Sequence, residues 1–182
     1  MLGNNPPSID VDNVISKIKD LSWALDGVVI TGGEPTMQDE LVEFCATLHS
    51  LGLKVKLDTN GTLPNKLRAI LPYVDYVAMD AKTPTPSDAM RESMAIVVGS
   101  GIAHEFRTTW DPRLSKDDVL TIAKMIPTTW VLQEFRPIKC LDPIYETYPS
   151  TRYELLKSTA VLALGPSHVS IRSELHGEES IR

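Results

Sequence analysis

Apolar residues recur at helical spacing in six segments of the chain. In the first segment, Val11, Val14, Ile18 and Leu21 lie three or four positions apart, which places them on one face of a helix. Ser8 comes just before this segment and is a suitable N-cap residue. The same spacing predicts helices over residues 9–25, 38–51, 64–71, 87–98, 117–125 and 151–164.

Short runs rich in β-branched and aromatic residues lie between these helices and are typical of buried strands. They cover residues 27–30, 53–57, 76–79, 104–109 and 130–135, and a last run covers residues 168–171. The alternation of strands and helices with short connections predicts an α/β fold with a parallel sheet, because each helix carries the chain back across the sheet. The polar residues 173–182 lack this pattern, so we expect one domain over residues 1–172 and a frayed tail after it.

Composition and charge argue against several classes of protein. The 182 residues carry a net charge of -6 without a block of Lys or Arg, which argues against general nucleic-acid binding. No apolar stretch is long enough to span a bilayer, and residues 1–7 lack the features of a signal peptide, so we expect a cytoplasmic location. The two cysteines, Cys45 and Cys140, are far apart in the sequence and indicate neither a disulfide framework nor a Cys-X-X-Cys metal site.

Polar or charged residues lie at the carboxyl end of each of the first five predicted strands. The carboxyl ends of parallel strands share one rim of a sheet or barrel, so these side chains should meet there. Their alternating signs favour a zwitterionic ligand, although each motif by itself also fits a turn or a solvated charge. In strand order the residues are Gly32-Gly33-Glu34-Pro35, then Asp58-Thr59-Asn60-Gly61, then Asp80 and Lys82, then Arg107, then Glu134 and Arg136.

Three of these motifs resemble those of radical S-adenosylmethionine (SAM) enzymes: Gly32-Gly33-Glu34-Pro35, Leu57-Asp58-Thr59-Asn60-Gly61 and Met79-Asp80-Ala81-Lys82. Within that superfamily the chain looks most like the activating proteins of glycyl-radical enzymes, such as anaerobic ribonucleoside-triphosphate reductase and pyruvate formate-lyase. Residues 105–109 and 132–137 also look like the reductase-activator group. The resemblance extends from about residue 8 to about residue 172 and implies a partial (βα) barrel of the TIM-barrel type, with parallel strands and the first βα unit missing.

The resemblance implies that SAM binds at the rim. One group of residues would bind the methionyl amine, and a second would lie beside the SAM carboxylate and could hold a monovalent cation there. A third group would present positive charge to the carboxylate or ribose, and one further residue would contact SAM where related activators place a polar or aromatic side chain. The first group is Gly32, Gly33 and Glu34, and the second is Asp58, Thr59 and Asp80. The third group is Lys82 and Arg107, and the one further residue is Arg136.

The resemblance also implies a 4Fe–4S cluster, which family members hold with a Cys-X3-Cys-X2-Cys loop after the first strand. This sequence has no such motif, and its first strand matches the family's second. Residues 3–7 resemble the loop after those cysteines. We therefore expect the missing unit to precede Met1, the chain alone to be inactive, and its exposed edge strand to promote self-association. The alternatives are a cluster supplied by another polypeptide and a cluster-free module that binds SAM or a partner.

The activity implied by the resemblance is that of an oxidoreductase. SAM would be cleaved reductively, and the resulting 5′-deoxyadenosyl radical would abstract hydrogen from a backbone glycine of a partner such as anaerobic ribonucleotide reductase. A protein such as flavodoxin or ferredoxin would be the reductant. Two other functions remain open from the sequence: another small radical SAM enzyme, similar to 7-carboxy-7-deazaguanine synthase, and a non-catalytic binding module. Neither nucleic acid nor a membrane is an expected partner.

Overall fold

The computed structural model describes residues 10–182, which form one seven-stranded sheet and six α-helices. The strands are β1 (Gly27–Ile30), β2 (Lys54–Thr59), β3 (Tyr76–Asp80), β4 (Ala103–Thr109), β5 (Thr129–Gln133), β6 (His168–Ser173) and β7 (Gly177–Ser180). The α-helices are α1 (Val11–Leu21), α2 (Leu41–Ser50), α3 (Pro64–Ile70), α4 (Asp88–Gly99), α5 (Lys116–Lys124) and α6 (Tyr153–Leu162). Short 3-10 helices cover Ser22–Ala24, Pro35–Met37, Leu71–Tyr73 and Pro143–Thr147.

The strands follow one another across the sheet in their sequence order. Strands β1 to β6 are parallel, and β7 pairs with β6 in the antiparallel direction. Among the described residues β1 has a neighbour on one side only, so the sheet is open at that edge. This architecture confirms the predicted α/β fold with parallel strands.

Side-chain alternation along the strands separates an apolar face of the sheet from a charged face. In β2, Val55 and Leu57 are fully buried in the core, whereas the alternate residues Lys56 and Asp58 lie on the opposite face. Across the sheet, Phe106 of β4 belongs to the same hydrophobic core, to which the helices contribute. Burial of this apolar face is the main source of folding free energy, and it leaves the charged face free for other roles.

The strand predictions are confirmed with shifts of at most two residues at their ends, whereas the first helix is shorter than predicted. It begins at Val11, because the carboxylate of Asp10 caps it by accepting a hydrogen bond from the Asp12 N–H at 3.0 Å. The predicted cap, Ser8, lies outside the described residues. The helix ends at Leu21, after which Ser22–Ala24 tightens into a 3-10 turn.

The prediction of a frayed tail over residues 173–182 is wrong, because Gly177–Ser180 forms β7. Its polar side chains have partners in the fold: Glu178 pairs with Arg172 of β6 at 2.6 Å, and Glu179 pairs with Lys157 of α6 at 2.7 Å. The strand is therefore held by backbone pairing and ion pairs, and it has no apolar pattern that would mark it as a strand in the sequence.

Candidate functional site

The loop after β1 depends on two glycines with positive φ. Gly32 has a φ of 95° and Gly33 a φ of 50°, both in the left-handed region that favours glycine. A Cβ added to either residue would meet no atom within 4 Å, so backbone conformation rather than crowding requires glycine here. Both residues are exposed, which leaves the backbone of this loop accessible at the rim.

The carboxylate of Glu34 joins the loop after β1 to the loop after β2. Its Oε1 atom accepts hydrogen bonds from the N–H of Thr36 at 3.1 Å, the hydroxyl of Thr36 at 2.5 Å and the hydroxyl of Thr59 at 2.7 Å. Its Oε2 atom accepts one from the N–H of Asn60 at 2.6 Å. A carboxylate offers about four acceptor positions, so Oε1 is saturated and Oε2 has room for one more donor.

Arg107 of β4 lies between two carboxylates from neighbouring strand ends. One guanidinium nitrogen is 3.0 Å from Oδ2 of Asp58, and the other terminal nitrogen is 3.2 Å from Oδ1 of Asp80. The three side chains are largely buried, with exposed fractions of 13% for Arg107, 17% for Asp58 and 21% for Asp80. Charge-assisted bonds in such partly desolvated surroundings are stronger than exposed ones, so they fix the relative positions of β2, β3 and β4 at the rim.

The second oxygen of each of these two carboxylates also faces positive charge. Oδ2 of Asp80 is 2.7 Å from Nζ of Lys82, and Oδ1 of Asp58 is 3.8 Å from Nζ of Lys56. Two buried atoms of this group, Oδ1 of Asp58 and Nε of Arg107, have no hydrogen-bond partner among the described residues. A polar ligand at the rim would give these atoms the partners that buried polar atoms normally have.

A second layer of charges lies below the rim on the same face of the sheet. The buried carboxylate of Glu105 receives two hydrogen bonds from the guanidinium of Arg172, at 3.3 Å and 3.0 Å, and one from the Tyr76 hydroxyl at 3.2 Å. Nζ of Lys56 is 4.0 Å from Glu105 and joins this layer to the rim. Burial and the negative charge of Glu105 raise the pKa of Tyr76 to about 12.

The sequence analysis did not select the members of the second layer. The available signal was a period of two in charged positions within two strands: Lys56 and Asp58 flank Leu57, and Glu105 and Arg107 flank Phe106. Because side chains alternate between the faces of a strand, that spacing places the charged residues on one face. Together the two layers form an alternating series of charges across β2, β3, β4, β6 and β7, in the order Lys82, Asp80, Arg107, Asp58, Lys56, Glu105, Arg172 and Glu178.

Comparison with known families identifies the superfamily. The family model described as "Radical SAM superfamily" matches residues 2–105, which is more than half of the chain. The chain belongs to the radical SAM superfamily. The match covers the loops after β1 and β2 and the end of β3, where Glu34, Asp58 and Asp80 lie.

Individual relatives are similar over different lengths. A Methanocaldococcus jannaschii protein that carries the provisional name glycyl-radical enzyme activating enzyme is 26% identical over 159 residues, which cover 76% of this chain and 66% of that protein. The 7-carboxy-7-deazaguanine synthase of Methanopyrus kandleri is 36% identical over 78 residues, 42% of this chain and 31% of that protein. The chain thus spans at most about two thirds of the length of these relatives.

Solved structures share the fold at low identity. The crystal structure of Streptococcus suis SuiB has a TM-score of 0.68 at 13% identity and covers 93% of this chain and 44% of that one. Archaeal TYW1 has a TM-score of 0.64 at 15% identity and covers 95% of this chain and 70% of that one. These likenesses confirm that the sheet and helices form the partial barrel of radical SAM proteins.

The predicted SAM-binding residues fall into two groups in this fold. The first group is linked at the rim: ion pairs connect Asp58, Arg107, Asp80 and Lys82 in that order. Glu34 is joined to the loop that follows Asp58 through Thr59 and Asn60. The hydroxyl of Thr59 donates to Glu34 and accepts the N–H of Gly61 at 3.1 Å. Arg136 instead pairs at 2.5 Å with Glu174, which follows β6, and both side chains are about half exposed. Their contacts with SAM stay predictions.

The 4Fe–4S cluster of the superfamily does not fit the cysteines of this chain. Cys45 is completely buried in α2, and burial raises the pKa of its thiol to about 11, which disfavours the thiolate that iron requires. Cys140 lies in the connection after β5, where its N–H donates to Glu146 at 3.1 Å. Within residues 10–182, no group of three or more His, Cys, Asp or Glu side chains is arranged to hold a metal ion.

No helix among residues 10–182 is both long and apolar enough to cross a membrane. The longest of these helices, α4, has 12 residues.

Proposed function

We propose that this chain binds SAM at the rim formed by the carboxyl ends of β1 to β4. The observation that carries the proposal is the set of bonds that link these ends: Glu34 joins the loops after β1 and β2, and Arg107 joins Asp58 to Asp80. Pre-arranged charges of both signs at one rim suit a ligand that carries an amine and a carboxylate, as SAM does. Membership of the radical SAM superfamily supports this choice of ligand.

The residues form two sets, one for the amine and one for the carboxylate on the α-carbon of the proposed ligand. The exposed backbone at Gly32 and Gly33 and the free acceptor position of Glu34 Oε2 would receive the methionyl amine. Lys82 and Nε of Arg107 would face the carboxylate, because each retains a donor beyond its ion pairs. These contacts orient the ligand, and the chemistry is supplied by the cofactors rather than by a nucleophile of this chain.

We further propose that the complete enzyme activates a glycyl-radical protein, such as anaerobic ribonucleotide reductase, with flavodoxin or ferredoxin as reductant. The provisionally named activating enzyme of M. jannaschii supports this choice, because its similarity covers 76% of the chain. The ligands of a cluster would come from outside the 182 residues, since neither Cys45 nor Cys140 fits that role. SAM supplies the radical in this reaction, and the residues of this chain hold SAM in place.

Calorimetric titration of SAM into the folded chain tests the binding proposal. Lys82→Ala should weaken binding by about five- to tenfold, because it removes a charged donor that is partly screened by water. Lys54→Ala is the matched control: Lys54 also pairs with an aspartate, Asp75, at 2.6 Å, but it lies at the amino end of β2. Equal affinities of the two variants would contradict the assigned place of the carboxylate, and absence of heat with a folded wild-type chain would contradict SAM binding.

A second candidate function is that of a small radical SAM enzyme of the 7-carboxy-7-deazaguanine synthase type. It is supported by relatives with that name, including one from Rickettsia prowazekii that is 40% identical over 65 residues. That similarity covers 32% of this chain, so it supports membership of the superfamily more than a substrate. Cross-linking with a purified glycyl-radical enzyme separates the candidates, since only an activating enzyme should yield SAM-dependent cross-links at this rim.

A further inference from the structure

The position between Asp58 and Asp80 is where the family resemblance implies a monovalent cation, and the structure places Arg107 there. The guanidinium is 3.0 Å from one carboxylate and 3.2 Å from the other. Thr59, the third expected ligand, directs its hydroxyl to Glu34 at 2.7 Å instead. The residues therefore do not provide the oxygen cage that a hard cation requires.

The surrounding charges also disfavour an added cation. Both oxygens of each carboxylate already face protein cations: Asp58 faces Arg107 and Lys56, and Asp80 faces Arg107 and Lys82. Three protein cations therefore already pair with these two carboxylates, and one of them, Lys56, is shared with Glu105 at 4.0 Å. An added cation would gain little attraction there, because the carboxylates that it would bind are already neutralised.

We propose that the guanidinium of Arg107 takes the place of an inorganic monovalent cation between Asp58 and Asp80, so that this rim binds its ligand without Na⁺ or K⁺. The planar guanidinium donates an N–H to Asp58 and keeps its other terminal nitrogen 3.2 Å from Asp80, so one side chain spans both carboxylates. Its buried Nε remains without a partner among the described residues and can donate to a ligand carboxylate. The statement about ligand binding rests on the proposed function, whereas the statement about the cation does not.

The first test measures the thermal unfolding midpoint of the chain without SAM in the chlorides of sodium, potassium and tetramethylammonium at equal ionic strength. The wild-type chain should unfold at the same temperature in all three salts. In tetramethylammonium, Arg107→Ala should unfold at a lower temperature than the wild-type chain. Sodium, potassium or methylguanidinium should raise the unfolding midpoint of this variant, because these cations can fill the space between the carboxylates. Arg68→Ala is the matched control, because Arg68 of α3 pairs with Glu92 of α4 at 3.2 Å and both side chains are exposed.

The outcomes decide the proposal in each case. A wild-type midpoint raised by sodium or potassium relative to tetramethylammonium would overturn it, and so would an Arg107→Ala variant that responds to no cation more than Arg68→Ala does. Should Arg107→Ala fail to fold, Arg107→Gln provides a neutral replacement of similar size, and the wild-type comparison stands without either variant.

The second test repeats the comparison with SAM by calorimetry. The dissociation constant of the wild-type chain should be the same in the three salts. The dissociation constant of Arg107→Ala should be about tenfold higher in tetramethylammonium, because a charged hydrogen bond is lost. Potassium should bring it closer to the wild-type value by supplying an ionic contact in place of the guanidinium. If the wild-type chain binds no SAM, the proposed function fails, while the unfolding measurements still decide the place of the cation.

Discussion

The rim over β1 to β4 is built differently from the rim over β5 and β6. In the first region, Glu34 and Arg107 each join two different strand ends, and the side chains of Arg107 and its partners are largely buried. In the second region, Arg136 pairs with the Glu174 side chain, and Glu134 accepts the Glu174 N–H at 2.9 Å. Both of these contacts are exposed to solvent. Burial strengthens the first set of bonds, whereas water screens the second.

This difference indicates which part of the molecule has a fixed geometry. The superfamily match ends at residue 105, so it covers most of the first region and none of the second. After β5, the connection over residues 134–152 exposes apolar side chains, with Ile138 at 62% and Leu141 at 104% exposure. The first region thus has the rigidity that positions a ligand, and the second has the exposed loop on which family members can differ.

Removing the carboxylate of Glu34 should give the largest effect on stability. Glu34→Ala leaves the N–H groups of Thr36 and Asn60 and the hydroxyls of Thr36 and Thr59 without their acceptor. We expect a loss of about 2–4 kcal/mol in the free energy of unfolding, because unsatisfied buried donors are costly. The two hydroxyls can rotate to other partners, which keeps the loss from being larger. Urea unfolding followed by circular dichroism measures this loss.

The matched variant in the second region is Glu134→Ala. Glu134 accepts one backbone N–H, that of Glu174, at an exposed position, so water can replace it. Its unfolding midpoint in urea should stay close to that of the wild-type chain. Equal destabilisation by Glu34→Ala and Glu134→Ala would remove the distinction between the two rims.

The fold follows from the sequence wherever apolar periodicity determines it. Strand β1 was predicted at its observed residues, because Val28, Val29 and Ile30 form a β-branched run between turn residues. Strand β7 was missed because its partners lie outside the strand: Glu178 pairs with Arg172 of β6, and Glu179 pairs with Lys157 of α6. Ion pairs of this kind leave no periodic signal in the strand itself.

The site was predictable as a set of strand ends but not as a set of bonds. Family motifs located Glu34, Asp58 and Asp80, whereas the position of Arg107 between two carboxylates depends on the register of β4 against β3. The second layer was missed because its members are far apart in the sequence, with Glu105 and Arg172 separated by 67 positions, and only the sheet brings them together. A sequence motif specifies which groups are present, and the register of the sheet decides which of them neutralise one another.

Deprotonation of Tyr76, in the second layer, should have a smaller effect on the free energy of unfolding than loss of the Glu34 carboxylate. The pKa of Tyr76 is about 12 in the folded chain, against 10.0 for an ordinary tyrosine, because of burial and the charge of Glu105. The folded state holds this proton more tightly, so the stabilisation is complete below pH 10 and is lost as pH rises to about 12. Tyr76 is partly exposed and solvent screens it, so we expect a loss of about 1 kcal/mol, less than the full linkage value.

Comparison with Tyr76→Phe isolates this effect from the titration of lysines. The variant removes the ionisable hydroxyl and its 3.2 Å hydrogen bond to Glu105 but keeps the ring. The difference in unfolding free energy between the two proteins should therefore shrink as pH rises through this range. A difference that is independent of pH would show that the hydroxyl titrates normally.

Arg136→Ala should give the smallest effect of all. Arg136 forms an exposed ion pair with Glu174, and the hydrogen bond to that carboxylate raises the pKa of the guanidinium without fixing any other strand end. The unfolding midpoint should not change measurably, and the dissociation constant of SAM should change by less than about twofold, because exposed pairs contribute little. A larger loss of SAM affinity would restore the contact that the family resemblance implies, and it would mean that Arg136 leaves Glu174 when the ligand binds. Both rims would then hold SAM, and burial alone would no longer distinguish the residues that bind it.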